Sequence, residues 1–336
     1  MRLRRVDCSA PGIRRVRRGR GFTYLDETGD SIEDADVRDR IRSLAIPPAW
    51  TDVWICPDPR GHIQATGYDD ASRKQYLYHD AWREHRDRQK FREMEEFAEA
   101  LPGLRERIEK DLRRRGLVRE RVLACAVRLL DLGFFRIGSE RYAAENETYG
   151  LATLKKRQLR IERGQAVFDY RAKGSKRHVQ VVADRGVLPT LKAMKARRGG
   201  GADLFAYREG RTWRDVRSDD INEHLKELAG QDFSAKDFRT WNATVLAAVA
   251  LAGRPPDELS KTARRRAVNE AVKDVAGYLS NTPSVCRSAY IDPRVIDRFD
   301  SGETIHRVLD REINGAEPSR FAERERIERA VLDLIR

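Results

Sequence analysis

The fold is decided by residues 157–182, which read RQLRIERGQAVFDYRAKGSKRHVQVV. Apolar and β-forming residues in this stretch predict three strands, at 158–161, 167–170 and 178–182. The segments between them contain glycine and polar residues, which favour tight turns. We therefore expect a three-stranded antiparallel sheet in this part of the chain.

The sequence on either side of this predicted sheet has a helical pattern. Apolar residues recur at helical spacing in the charge-dense segment Trp82–Lys110 and again from Val118 to Leu132. The longest uncharged stretch, Thr240–Gly253, fits a buried helix and is too short to cross a bilayer. Most of the chain beyond residue 90 is therefore predicted to be helical.

The first ninety residues have a different pattern. Gly21–Leu25 with a return past Asp26–Asp30 predicts a hairpin, and Val53–Cys56 and His62–Thr66 predict two further strands. A chain of 336 residues is long enough for two domains.

We therefore predict an α+β protein in two parts. Residues 1–90 form a small β-rich N-terminal domain, and residues 91–336 form a mostly α-helical domain that carries the three-stranded sheet.

The positive charge of the chain is concentrated in two segments. Lys and Arg total 67 against 54 Asp and Glu, a formal net charge of +13. Residues 1–20 hold eight Arg and one acid, and residues 155–198 hold fourteen cations and three acids. Concentrated positive charge of this kind favours a polyanionic partner such as a nucleic acid.

Several classes of protein are disfavoured by the sequence. The four cysteines are scattered, which argues against a disulfide scaffold or a zinc finger and indicates a reducing, cytoplasmic compartment. The sequence has no histidine pair at metal-ligand spacing and no Gly-rich loop that ends in Gly-Lys-Ser/Thr, so we expect no metal and no nucleotide cofactor. It shows no N-terminal apolar run after the basic start, so we expect neither a signal peptide nor a membrane partner.

A basic protein of this kind can still break a phosphodiester bond. The transition state is a multiply charged phosphorane, and Arg and Lys can neutralise its oxygens without a metal. A side-chain hydroxyl can act as the attacking group and form a covalent intermediate. Such an intermediate conserves the energy of the broken strand and permits rejoining without ATP.

Five separated motifs carry a resemblance to a known family. They are Arg73–Tyr78, Phe135–Leu151, Lys173–Lys176, Lys236–Trp241 and Leu279–Ile291. In this order they resemble the type IB DNA topoisomerases, specifically the small poxvirus-like and bacterial branch. The resemblance runs from about residue 20 to residue 310 and implies the catalytic fold that these topoisomerases share with tyrosine recombinases.

The resemblance implies a reaction and the residues that carry it. Tyr290 attacks a DNA phosphate and becomes linked to the 3′ end of the nicked strand. Arg136 and Arg239 clamp the phosphorane oxygens, and Lys173, at a hairpin tip, donates a proton to the leaving 5′ oxygen. The free 5′ end then rotates and rejoins, which relaxes supercoiled duplex DNA without ATP or a metal.

One position departs from the pattern of the family. The residue nine before the nucleophile is usually His and is Asn281 here. An amide N–H can still donate to a non-bridging oxygen, but it supplies neither positive charge nor a proton. We therefore assign hydrogen bonding to Asn281, with a helix cap before Thr282-Pro283 as the alternative.

The resemblance also implies residues that bind DNA. They are Arg73, Lys74, Gln75, Tyr76 and Tyr78 in the N-terminal domain and Tyr142 in the helical domain. Among them Gln75 is the candidate for a base contact, since an amide can bind adenine in the major groove. We expect a monomer that closes as a clamp around duplex DNA in the bacterial cytoplasm, at the nucleoid.

Two other functions stay open at this point. A tyrosine recombinase shares the Arg, Lys, Arg and Tyr residues but typically carries His-x-x-Arg, where this chain has Lys236-Asp237-Phe238-Arg239. A non-catalytic, architectural DNA-binding protein would also account for the basic charge. The presence of Tyr290 together with its three cations argues against the second alternative.

Overall fold

The computed structural model describes residues 2–133, 135–254, 259–309 and 320–336. The chain divides into two compact units, Met1–Arg92 and Glu93–Arg336. Helices and antiparallel strands both occur, so the predicted α+β class is confirmed.

The first unit is built on a five-stranded antiparallel sheet with the order β2-β1-β3-β4-β5. Its strands are β1 (Ile13–Arg18), β2 (Gly21–Leu25), β3 (Thr51–Ile55), β4 (Ile63–Tyr68) and β5 (Lys74–Tyr78). Helix α1 (Ala35–Ser43) contributes Ile41 to the core, which also contains Val53 and Ile55.

The strand predicted at Gly21–Leu25 pairs with a different segment from the one expected. β2 pairs with the preceding strand β1, while the expected return past Asp30 contributes only an isolated bridge between Leu25 and Ser31. The sequence of β1, IRRVRR, does not show the alternating pattern of a strand, because Arg15 occupies a position where an apolar residue would be expected. The Arg15 guanidinium donates to carbonyls of the loop after α1 and lies 4.2 Å from the centre of the Phe22 ring, so it serves as a packed side chain.

The second unit is mostly helical. Helix α2 (Asp80–Leu112) contains residues of both units, and it is followed by α3 (Arg119–Gly133), α4 (Glu140–Asn146), α5 (Leu188–Ala196), α6 (Ser218–Ala229), α7 (Ala235–Ala252), α8 (Lys261–Leu279), α9 (Pro283–Ala289), α10 (Pro293–Asp300) and α11 (Arg320–Ile335). Within the described ranges, none of these helices has the length and apolarity needed to cross a bilayer.

The predicted three-stranded sheet is present in the second unit. Strands β6 (Leu159–Glu162), β7 (Gln165–Arg171) and β8 (Arg177–Val182) pair antiparallel in chain order. A second hairpin, β9 (Ala206–Glu209) with β10 (Thr212–Asp215), was not expected from the sequence. The sheet matters for the site because the β7–β8 turn carries Lys173.

The core of the second unit fixes helix α7 tightly. Phe97 packs edge-to-face against Phe233 and Phe238, with ring centres 5.1 and 5.0 Å apart. Trp241, one turn further along α7, is also fully buried. These anchors hold the segment of α7 that carries Arg239, and they confirm the buried helix predicted over Thr240–Gly253.

A network of charges, all of them buried except the partly exposed Arg324, joins α2, α3, α11 and the segment after β8. Its members are Arg105, Arg128, Asp131, Asp184, Arg324 and Glu328. Arg105 donates to both oxygens of Asp131 and to both oxygens of Glu328, at 2.7–3.1 Å. This set, the buried ion network, ties the C-terminal helix to the rest of the unit.

Candidate active site

The structure brings all five predicted catalytic residues together. Arg136, Lys173, Arg239 and Tyr290 line one cleft of about 290 Å³. Asn281 is next to the cleft and contacts Arg136, whose Nη2 donates to Asn281 Oδ1 at 2.5 Å. Residues from four separate parts of the second unit therefore meet around the Tyr290 side chain.

Arg136 lies on a loop that two glycines hold in place. Gly138 has φ 93° and approaches Gly150 so closely that a Cβ on Gly138 would lie 3.0 Å from the Gly150 backbone. The amide of Leu151 donates to the Arg136 carbonyl at 2.8 Å. This close approach explains why the motif over residues 135–151 has glycine at both positions.

The guanidinium of Arg136 is held by neutral oxygens. Besides Asn281 Oδ1, its Nη2 donates to the carbonyls of Leu279 and Ser280, at 3.3 and 3.2 Å. Ser280 ends α8 in the left-handed conformation, with φ 52°. The turn at residues 279–281, here called the acceptor turn, thus supplies three acceptors without a negative charge.

Arg239 shares this acceptor turn. Its Nη2 donates to the Leu279 carbonyl at 2.9 Å, and its guanidinium lies 5.4 Å from the centre of the Tyr290 ring and also makes a hydrogen bond with Tyr290. Burial lowers the pKa of Arg239, and the neighbouring charge of Arg136 lowers it further. A buried cation and a partly buried one therefore lie side by side next to the predicted nucleophile.

Helix α7 positions the nucleophile as well as Arg239. Tyr290 caps α9, where its amide donates to the Cys286 carbonyl at 3.0 Å. Thr244 Oγ1, on α7, accepts from the Asp292 amide at 3.1 Å, and its one proton lies between the carbonyls of Thr240, at 3.0 Å, and Tyr290, at 3.3 Å. The hydroxyl of one α7 residue thus fixes the backbone on both sides of Ile291.

Lys173 lies at the tip of the β7–β8 turn. The Ala172 amide donates to the Lys176 carbonyl at 2.8 Å and closes the turn, while Gly174 and Ser175 have φ of 78° and 57°. Left-handed backbone at these two residues makes the turn tight. The Lys173 side chain is exposed and borders the cleft.

The cleft is strongly cationic. Lys236, one helical turn before Arg239 on α7, also lines it, and no carboxylate is found among the described residues of its lining. Lys236 was given no role from the sequence, although its i, i+3 spacing from Arg239 placed both on one face of the helix. The arrangement suits a ligand with several negative oxygens at one centre.

The predicted DNA-binding residues of the first unit lie on or next to β5. Lys74, Tyr76 and Tyr78 alternate on its exposed face, with the two tyrosine rings stacked 6.1 Å apart and Lys74 Nζ 5.7 Å from the Tyr76 ring centre. Gln75 points the other way, and its amide nitrogen donates to Asp69 Oδ2 at 2.9 Å.

The two remaining predicted contacts are placed differently. Arg73 is exposed and also donates to Asp69. Tyr142 belongs to α4, and its side chain lies outside the described part of the structure.

Comparison with known proteins links both units to one enzyme class. A family model for the eukaryotic DNA topoisomerase I catalytic core matches residues 79–307, and one for the bacterial DNA topoisomerase IB N-terminal domain matches residues 21–69. The first match includes every residue of the cleft.

Individual relatives are similar over most of the chain. DNA topoisomerase 1B of Acanthamoeba polyphaga mimivirus is 28% identical over 83% of this chain and 85% of its own length. DNA topoisomerase 1B of Vaccinia virus (strain Copenhagen) is 20% identical over 83% of this chain and 87% of its own length. DNA topoisomerase 1 of Daucus carota is 31% identical, but over only 38% of this chain and 15% of its own length.

Proposed function

Because this chain belongs to the type IB DNA topoisomerases, we propose that its cationic cleft cleaves and rejoins one strand of duplex DNA with Tyr290 as the nucleophile. The observation that carries the proposal is the composition of the cleft. Four cations line it together with Tyr149 and Tyr290, and no carboxylate occurs among the described lining residues. Of the two tyrosines, Tyr290 makes a hydrogen bond with Arg239. A recombinase or an architectural protein is not favoured by the family matches.

In the cleavage step, the Tyr290 hydroxyl loses its proton to water and its oxygen forms a bond to phosphorus, while the bond from phosphorus to the 5′ oxygen breaks. Arg136 and Arg239 neutralise the non-bridging oxygens of the phosphorane. Lys173 donates a proton to the 5′ oxygen, a role that suits an exposed ammonium on a tight turn. Religation runs the same steps in reverse after the 5′ end has rotated.

Asn281 takes part through hydrogen bonds. Its Oδ1 orients Arg136, and its buried Nδ2 has no hydrogen-bond partner among the described residues. A buried amide without an acceptor is costly, so an incoming phosphate oxygen would satisfy it. This assignment needs no proton transfer by Asn281.

DNA binding is assigned to the exposed face of β5 and to the basic segment 155–198. Lys74, Tyr76 and Tyr78 supply the contacts from the first unit, and Tyr142 supplies one from the second. A base contact by Gln75 requires that its amide leave Asp69. The protein is proposed to work as a monomer that encloses the duplex, without a nucleotide, in the cytoplasm at the nucleoid.

A plasmid relaxation assay with EDTA and no ATP tests this function. Wild-type protein should relax supercoiled DNA, Tyr290→Phe should not, and the matched control Tyr278→Phe, at an exposed tyrosine of α8, should keep full activity. Relaxation by Tyr290→Phe at the wild-type rate would contradict the assignment. Strand exchange between paired sites would point to a recombinase instead.

A further inference from the structure

His178 borders the two arginines of the cleft but not the nucleophile. It lies half-buried on β8, opposite Tyr170 of β7, with the two rings 5.4 Å apart. It lines a separate space of about 10 Å³ that shares Arg136 and Arg239 with the cleft and does not include Tyr290. A space of this size holds at most about one water molecule.

The side chain of His178 contacts the acceptor turn. Its Nδ1 lies 3.3 Å from Oγ of Ser280, the residue in the left-handed conformation. A non-glycine residue in this region is strained and persists only where its surroundings hold it. The hydrogen bond from β8 therefore supports the conformation that aims three acceptors at Arg136 and Arg239.

We propose that His178 is a positioning residue for strand cleavage, which holds the acceptor turn so that Arg136, Arg239 and Asn281 keep the geometry that the phosphorane requires. The inference rests on the proposed function of the cleft. Position 281 in the acceptor turn is asparagine and not histidine. Strand β8 contacts the same turn through a histidine, His178.

The charge state of His178 follows from the groups that face it. They are Arg136 from the loop after α3, Arg239 from α7, Tyr170 from β7 and Tyr149 from the loop before the sheet. Burial lowers the pKa of His178 from its ordinary value of 6.5, and the charges of Arg239 and Arg136 lower it further. His178 is therefore neutral at pH 7, and protonation at acidic pH adds a third cation beside two arginines.

The test measures single-turnover formation of the covalent complex on a nicked duplex whose short leaving strand dissociates, so that religation does not occur. His178→Ala should slow cleavage about tenfold to a hundredfold, the usual cost of small misplacements in an active site. Equilibrium DNA binding and the midpoint of thermal unfolding should stay at wild-type values. His306→Ala is the matched control, since His306 Nδ1 contacts Thr304 Oγ1 at 2.8 Å and does not line the cleft, and it should cleave at the wild-type rate.

His178→Asn separates positioning from a merely structural role. An amide at the place of Nδ1 can bond to Ser280 but cannot be protonated in this pH range. This variant should restore most of the rate at pH 7. We expect the wild-type cleavage rate to fall at acidic pH, because protonated His178 is repelled by Arg136 and Arg239, and His178→Asn should lack this fall. Ser280→Ala should be slow like His178→Ala, and the double variant should be no slower than either, because both remove one contact.

Three results would overturn the inference. They are a wild-type cleavage rate in His178→Ala, no rescue by His178→Asn, and fully additive losses in the double variant. If His178→Ala does not fold, the rate and pH profile of His178→Asn beside Ser280→Ala decide the question. A wild-type protein that forms no covalent complex would instead contradict the proposed function, so the two failures are distinguishable.

Discussion

The arginines of the buried ion network and those of the cleft differ in what they bind. In the network, Arg105 and Arg324 donate to the carboxylates of Asp131 and Glu328. In the cleft, Arg136 and Arg239 donate to backbone carbonyls and to the amide of Asn281. Neutral acceptors fix the orientation of a guanidinium without cancelling its charge, so the cleft keeps its attraction for phosphate.

The same difference appears in the pKa values. Burial acts to raise the pKa of Asp131, but Arg324 and Arg105 outweigh it and lower the value to about 2. In the cleft, burial and the charge of Arg136 both lower the pKa of Arg239. The network pairs opposite charges, whereas the cleft holds like charges that a bound phosphate would compensate.

Asp131→Asn tests the network with the largest expected effect. The change keeps the shape of the side chain but leaves the buried cations Arg105 and Arg128 without a shared carboxylate. The free energy of unfolding should fall by about 3–5 kcal/mol, the usual cost of breaking a buried pair. Urea unfolding measures it.

The control for this change is Asp333→Asn, which breaks the exposed pair with Arg329 and should cost less than about 1 kcal/mol. Equal losses in the two variants would show that burial does not set the strength of the network.

Arg239→Ala tests the cleft and should have the opposite profile. Removal of one of two adjacent cations takes away stabilisation that is used in the transition state. Single-turnover cleavage should slow by about 10²–10³-fold. The free energy of unfolding should change far less than in Asp131→Asn, because the partners described for Arg239 are the Leu279 carbonyl and Tyr290. A variant that unfolds as readily as Asp131→Asn would place Arg239 with the structural arginines.

Asn281→Asp converts a neutral acceptor of the cleft into one like those of the network. The side chain keeps its shape, and Oδ1 stays within reach of Arg136. The new carboxylate cancels charge and repels phosphate, so cleavage should slow by about a hundredfold. Asn281→Ala, which only removes a hydrogen bond, should lose about tenfold. If Asn281→Asp cleaves as fast as the wild type, the neutrality of the acceptor turn has no role.

Acid unfolding gives the smallest expected effect. The pKa of Asp131 in the folded protein, about 2, is below its ordinary value of 3.8, so its contribution is present above pH 3.8 and is lost as pH falls through about 2. The shift corresponds to about 2 kcal/mol. Urea unfolding between pH 5 and pH 2 should therefore show the wild type and Asp131→Asn converging as pH falls. A constant difference would contradict the assigned cause.

Part of the fold could be predicted from the sequence because its pattern is local. Strands β6, β7 and β8 show alternation and glycine turns, and α7 shows as a long uncharged run. Strand β1 could not be predicted, because Arg15 replaces an apolar side chain and takes its partners from a loop far along the chain. The β9–β10 hairpin could not be predicted because each of its strands has only four residues, too few to show an alternating pattern.

The site divides in the same way. Resemblance to a family selected the five catalytic candidates, and the structure brings them together. The acceptor turn could not be predicted, since its oxygens at Leu279 and Ser280 belong to the backbone and depend on one left-handed residue. The contact of Gln75 with Asp69 also depends on the strand register, which the sequence did not specify.

The most direct test of the cleft is to identify the covalent bond it forms. Supercoiled DNA is incubated with the protein, the reaction is stopped with denaturant, and the DNA-linked peptide is identified by mass spectrometry. We predict a tyrosyl ester at Tyr290, joined to the 3′ phosphate of a nicked strand, and no adduct in Tyr290→Phe. An adduct on another tyrosine, or one joined to a 5′ phosphate, would contradict the account.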